Sequence, residues 1–567
     1  MKIYKIFPAI ALGLMFASCD DFLDVAPVDQ IEDSEYWKTE DHIRIYANGF
    51  YPSYFTGYSG NFGYNEKLTD NTSDVTQQNW PYLVVSGTDA SYTYSYVLRA
   101  NYFLDGVERV PALDDATRNH WRGVGRLMRG IEYADLSFYY GDTQWYTTRI
   151  NSTELDSLYK PRDSRDKVVI PRVIADLRFA LENIREDDGE LQINRYVAAA
   201  MISKAMLREG TFLKYHGINP ELGRECLELA KDACLTVMNS GRYTLADDYR
   251  TLFCSDDLAG NPEVILYKRY IDVKTGHSVL NYNYLQPQTG PSRDFADSFL
   301  AADGMPVYAK DPLYCPKSAA DYFADRDPRL SMIIRPDKYY IAGADVTGAA
   351  YSRSGFSLCK YMDREKEGST DQIYTANAKN VTDCPQYRLG GILVDYAEIC
   401  YELGSLTQKD LDISINLLRA RKGVNMPALE IIGGEPAVGG QIYDDPTRDS
   451  DVPAMLWEIR RERRVEMAFE GSRLDDLKRW KKLIYLWSEY NPNIGTGAWI
   501  SYADFATADK TKAVLPAGET EGYLIVTPAA NQRPAPQARD YIRPIPTDQI
   551  QLFKQNGYEL EQNPEWK

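Results

Sequence analysis

The densest charge in this chain lies in Leu456-Trp457-Glu458-Ile459-Arg460-Arg461-Glu462-Arg463-Arg464-Val465-Glu466-Met467-Ala468-Phe469-Glu470-Gly471. As a helix at about 100° per residue, it sets Met455, Leu456, Ile459 and Met467 in one arc of about 120°. Arg463, Glu466 and Glu470 fall in the same arc. A catalytic reading makes Glu466 and Glu470 a carboxylate pair. Carboxylates beside arginines stay ionised, however, and charge on a buried arc must be paired. Arg463 and Glu466 are i, i+3 neighbours and can pair. Arg463, Glu466 and Glu470 are therefore read as an internal structural network. Gly471 should end the helix, and Ser472 to Asp475 should form a capping box for the next one.

Other catalytic constellations are missing. His42, His120, His216 and His277 are scattered. There is no H-E-x-x-H, no G-x-S-x-G elbow and no glycine-rich phosphate loop. The 82 acidic residues leave room for a glycosidase pair, but no spacing fixes one. Asp444, Asp445, Asp449 and Asp451 could hold calcium. They lack the ordered ligands and glycine of an EF-hand, and they read as a solvated acidic loop. No cofactor is expected.

Binding chemistry is better represented. The chain has 43 Tyr, 9 Trp and 18 Phe. Tyrosine joins an apolar ring face to a polar tip, which suits the C–H faces and hydroxyl rims of sugars. Most of these rings must pack helices; a few should be ligand platforms. Asp70-Asn71-Thr72-Ser73-Asp74-Val75-Thr76-Gln77-Gln78-Asn79-Trp80-Pro81-Tyr82 combines carboxylates, amides and two aromatics. Trp80 or Tyr82 would stack on a pyranose, and Asp74 and Asn79 would bind hydroxyls. Asn281-Tyr282-Asn283-Tyr284-Leu285-Gln286 is a second such cluster, with Tyr282 and Tyr284 as platforms; the alternative is a strand with alternating burial.

The first residues carry a different chemistry. Lys2 and Lys5 precede an uncharged run from Ile6 to Ala17, which leads through Ser18 to Cys19. That order is a secretory signal over 1–18 with a lipoprotein cleavage site, so Cys19 is expected to be the acylated first residue. Several acyl chains would hold the protein on a membrane surface outside the cytoplasm. The run is short for a membrane span, and no later stretch reaches eighteen apolar residues. Removing residues 1–18 takes away two lysines, so the net charge of −18 becomes −20. That disfavours nucleic acid and anionic lipid as partners. Setting Cys19 aside leaves seven cysteines without regular spacing; most should be small buried hydrophobes, with one or two bridges allowed.

Helices must position these groups. Val124, Leu127, Ile131, Ala134 and Phe138 form one buried stripe over 120–140, stopped by Gly141. Further helices are expected at 171–185 (Pro171 in the first turn), 195–214 (alanine-rich, allowing close approach), 222–239, 392–403 and 408–422. Their lengths and short turns suggest antiparallel pairs of tetratricopeptide type, without a clean repeat. Residues 51–100, 243–390, 425–453 and 488–540 read as irregular. The fold class is therefore mostly α: a helical-pair scaffold whose long inserted segments form the ligand-binding face. No linker divides it.

The segment 456–471, continuing as Arg473-Leu474-Asp475-Asp476-Leu477-Lys478-Arg479-Trp480, resembles the signature of the SusD/RagB family of outer-membrane nutrient-binding lipoproteins. Other pieces agree in order: Asp21-Phe22-Leu23-Asp24 with Pro27; Arg129-Gly130 to Tyr140-Gly141-Asp142; Asp303-Gly304-Met305-Pro306; Asp327-Pro328-Arg329-Leu330; Tyr396-Ala397-Glu398; Asn416 to Gly423; Pro544-Ile545-Pro546; and Gln562-Asn563-Pro564. The ending departs from the family pattern, with Glu565-Trp566 in place of Gly and an aromatic. The resemblance implies one domain over 19–567, with a tether at about 19–35 and a signature region at about 390–567. It further implies non-catalytic capture of oligosaccharide at the cell surface and delivery to a SusC-like TonB-dependent transporter, for which such proteins act as a lid. A surface glycosidase, or the same scaffold binding peptide or another nutrient, are the alternatives.

Overall fold

The structure is a computed structural model. It describes residues 36–60, 65–74, 84–148, 153–271, 275–281, 283, 289–336, 352–366, 369, 371–504 and 514–567. The helices that carry the architecture are α1 (Glu40–Asn48), α2 (Ser95–Arg109), α3 (Asp115–Tyr140), α4 (Ile170–Asn183), α5 (Arg195–Tyr215) and α6 (Pro220–Met238). They continue as α7 (Arg293–Asp297), α8 (Pro328–Ile333), α9 (Leu389–Glu402), α10 (Gln408–Asp412), α11 (Ile415–Arg419), α12 (Ala454–Glu466) and α13 (Arg473–Arg479).

Neighbouring helices pack in sequence. α2 lies on α3, α3 on α4, α5 on α6, α6 on α9 and α9 on α12, while α13 returns to α5. The result is an array of helical pairs around one large apolar core. All five residues of the expected α3 stripe are buried, and Asp114 caps the helix by accepting from Thr117 N–H. In α5 and α6 the small residues permit backbone contact. A Cβ on Gly210 would meet the Gly223 carbonyl oxygen at 2.7 Å, and the reverse holds too. The fold is thus mostly α and tetratricopeptide-like, as the helix pattern indicates.

Three expectations are corrected. The helix expected over 408–422 is two short helices, α10 and α11, broken at Ser414, whose φ/ψ of −137°/−97° is not helical. Residues 95–100, expected to be irregular, begin α2. Residues 425–453 contain a meander of β5 (Glu430–Ile432), β6 (Glu435–Val438) and β7 (Gln441–Ile442). Its first turn is Gly433-Gly434 at φ +64° and +93°, the left-handed geometry a two-residue hairpin requires.

Three two-stranded ladders also occur: β1 (Thr72–Asp74) with β3 (Thr289–Pro291), β2 (Val264–Lys268) with β4 (Cys384–Arg388), and β8 (Thr496–Ser501) with β9 (Glu521–Ile525). Among the described residues no cysteine is bridged, and six of the seven are buried. No described helix is long and apolar enough to cross a membrane.

Candidate functional site

The charged helix α12 is buried on nearly every side, not along one arc. It survives there because cations and carboxylates meet all around it. Glu466 is 0% exposed. Arg388 donates to it at 2.6 Å, Arg421 at 3.1 Å and Arg329 at 3.3 Å. Arg388 and Arg421 also hold Glu263, at 3.1 and 3.0 Å. Burial alone would raise the Glu466 carboxyl. Arg421, Arg388 and Arg329 outweigh it and hold the group well below the usual carboxylate range.

Glu470 is not on the helix, which ends at Glu466; it follows a turn in which Phe469 takes φ +60°. Its carboxylate is bonded by Arg388 at 2.7 and 3.0 Å and by Lys360 at 2.8 Å. Burial pushes the Lys360 ammonium down to about 8, with Glu470 opposing it. Glu466 and Glu470 are therefore bridged by one guanidinium, and neither is free to act as acid or base.

The expected Arg463–Glu466 pair is corrected. Arg463 bonds Asp395 and, at 2.9 Å, Asp476, because α9 and α13 bring these carboxylates to its guanidinium. The expected capping box at Ser472 is absent too: that residue is helical and makes no side-chain cap. Asp475 instead accepts from the Tyr139 hydroxyl at 3.3 Å. The network partners Arg388, Glu263, Lys360 and Arg329 escaped the sequence reading because they lie far apart in the chain. The one signal was the number of charges at otherwise buried positions of α12.

Next to this network stands the β1–β3 ladder. Thr72 faces Pro291, Ser73 faces Gly290 and Asp74 faces Thr289. β1 belongs to the first segment singled out for sugar chemistry and β3 begins three residues after the second ends; the chain leaves β1 and enters β3 at the same end of the ladder. Asn79, Trp80, Tyr82, Tyr282 and Tyr284 lie outside the described residues. Asn283 is described; its amide donates to Val279 O at 3.0 Å, within a helical turn and not a strand.

The start of the first segment is an anchor. Arg473 donates to both oxygens of Asp70, at 2.8 and 2.6 Å. Burial opposes ionisation of Asp70, but Arg464 and Arg473 prevail and bring it to about 2. Arg464 also donates to Asn71 at 2.8 Å. Asp74, expected to bind hydroxyls, is 0% exposed and pairs with Lys67 at 2.9 Å. That corrects its role: it supports the edge and offers no surface to a ligand.

Two further segments press on the ladder. Ser73 donates to Ile494 O at 2.6 Å, and Thr527 donates to Asp74 O at 2.8 Å. A Cβ on Gly290 would meet Ser352 Oγ at 2.0 Å, and one on Gly497 would meet Ser354 O at 2.1 Å. Residues 72–74, 289–291, 352–358 and 494–500 therefore form one clamp.

The acidic loop is also reassigned. Asp444 accepts from Arg448 at 2.7 Å, Asp445 pairs with Arg461, and Asp449 pairs with Lys482 at 2.7 Å. Asp445 and Asp449 are buried, not solvated. Their charge is met by protein cations, which a calcium ion would have to displace.

A family model described as the SusD family matches residues 263–566. This chain belongs to the SusD/RagB family. A SusD-like protein P38 of Formosa agariphila is 22% identical over 282 residues, covering 46% of this chain and 52% of that protein. A SusD-like protein of Bacteroides ovatus is 23% identical over 267 residues, covering 44% of this chain and 46% of that one. The chain thus spans about half the length of the curated relatives it matches. Among solved structures, a SusD-like carbohydrate-binding protein from Bacteroides fragilis superposes with a TM-score of 0.66 at 19% identity, covering 94% of this chain and 100% of that one. A laminarin-binding SusD-like protein gives 0.55 at 17%, covering 93% and 99%. At such identities the likeness speaks for the fold.

Proposed function

We propose that this protein is a non-catalytic glycan-binding lipoprotein of the outer-membrane surface. It captures oligosaccharide or polysaccharide and passes it to a SusC-like TonB-dependent transporter. The observation that supports this reading is the β1–β3 ladder on the helical scaffold: in the chain, one aromatic and amide-rich segment follows directly from β1 and the other precedes β3. Trp80, Tyr82, Tyr282 and Tyr284 are its stacking residues and Asn79 its hydroxyl-binding amide. Asp74 serves as their buried anchor. The locking of Glu466 and Glu470 by Arg388 and Lys360 argues against hydrolysis. Family membership supports the transporter partnership, and the Cys19 motif supports a lipid anchor facing the cell surface. Two structural neighbours, a carbohydrate-binding and a laminarin-binding SusD-like protein, support the ligand class.

A gel-retardation panel of polysaccharides, run with protein lacking residues 1–19, tests this. Retardation by one glycan class without new reducing ends is expected. Retardation by none, with binding of peptide, would move the cargo to peptide; accumulating reducing ends would make the protein a glycosidase.

A further inference from the structure

The ladder has a second end. Beyond Thr72 and Pro291 stand Asp70 and Asp294, and between them and residues 490–493 the surface folds into a recess of about 310 Å³.

One wall is a presented ring. Tyr490 is 46% exposed and lies parallel to buried Tyr485, with centroids 6.3 Å apart and planes 11° apart. The Tyr485 hydroxyl donates to Asp449 at 2.6 Å. Trp457 stands edge-on to Tyr485 at 6.2 Å and donates its indole N–H to Asp445 at 3.1 Å. Tyr485, beside which the Tyr490 ring lies, is thus held from two sides before any ligand arrives.

The remaining lining offers hydrogen bonds without net demand for a counter-charge. Arg464 pairs with Asp294 at 2.7 Å and with Asp70 at 3.4 Å, and Arg473 pairs with Asp70 at 2.6 Å, so two cations and two carboxylates balance there. The Asn493 carboxamide also lines the recess and makes no hydrogen bond to another described residue. Each lining carboxylate already holds a cation or a hydroxyl: Asp70 has Arg473, Asp445 has Arg461, Asp297 has Tyr308. A free anion would find no unpaired cation there, and a metal ion no group of three open ligands among the described residues. A neutral ring with apolar C–H faces and many hydroxyls matches both walls.

We propose that this recess is a second pyranose-binding subsite, with Tyr490 as its stacking platform and Asn493 as its hydroxyl-binding amide. The choice of ligand class rests on the glycan-binding reading; the site itself does not use the aromatic segments.

Saturation-transfer NMR with maltotriose, laminaritriose, cellotriose, xylotriose and mannotriose tests it on the chain lacking residues 1–19. At least one trisaccharide should give transfer to the wild type. Tyr490→Ala should weaken that binding at least fivefold and Asn493→Ala at least threefold, with melting temperatures unchanged. Binding untouched by both substitutions, or no trisaccharide bound at all, would overturn the subsite. Retardation by polysaccharide in the gel would still stand in either case, so the two readings fail separately.

Discussion

Arg388 shows what single residues contribute here. It reaches Glu263, Glu466 and Glu470 at once and so ties the end of β4 to the turn after α12. Breaking a buried pair from one side leaves an uncompensated charge, which costs about 3–5 kcal/mol. Glu466→Gln should therefore lower stability by about that amount in chemical denaturation, and the folded fraction should bind glycan with unchanged affinity. Loss of binding at full stability would make Glu466 a ligand group instead. Asp70 adds a pH signature. Its folded-state pKa of about 2 lies below the ordinary 3.8, so its contribution is complete above about pH 4 and is lost as pH falls towards 2. The stability gap between wild type and Asp70→Asn should be full at pH 7 and shrink by roughly 2 kcal/mol by pH 2. A gap that stays constant with pH would show that Asp70 is not held ionised by Arg464 and Arg473.

At the scale of elements, the clamp around β1 and β3 links scaffold to site. Gly497→Ala places a Cβ at 2.1 Å from a backbone oxygen of Ser354, which cannot turn aside like a side chain. Residues 352–358 must then shift, so both the melting temperature and glycan affinity should fall. Gly433→Ala is the control: its φ of +64° is strained, but nothing lies within 4 Å. It should cost about 1 kcal/mol and leave binding alone. Equal effects of the two on binding would separate the clamp from the site. Long elements with a single apolar stripe, such as α3 and α6, were legible in the sequence. The Gly433-Gly434 hairpin was legible in principle but was hidden within a loop-like composition. The clamp was not legible, because a three-residue ladder between positions more than two hundred residues apart has no local signal. The Arg463 network failed for the same reason: spacing within one helix offered Glu466, while the better partners came from α9 and α13.

At the scale of the molecule, the proposed reading assigns recognition to the inserted segments and location to the N-terminal motif, with the helical array as their support. Cys19→Ala should move the protein from the membrane fraction to the soluble extracytoplasmic fraction while its fold is unchanged. Retention in the membrane would place the anchor elsewhere. Recognition is the central claim, and calorimetric titration of the retarding glycan into wild type and into the Trp80→Ala, Tyr284→Ala double variant tests it most directly. The account predicts at least a tenfold loss of affinity in the double variant at an unchanged melting temperature. An affinity equal to that of the wild type would contradict it, because the segments that flank β1 and β3 in the chain would then not be the surface that holds the glycan.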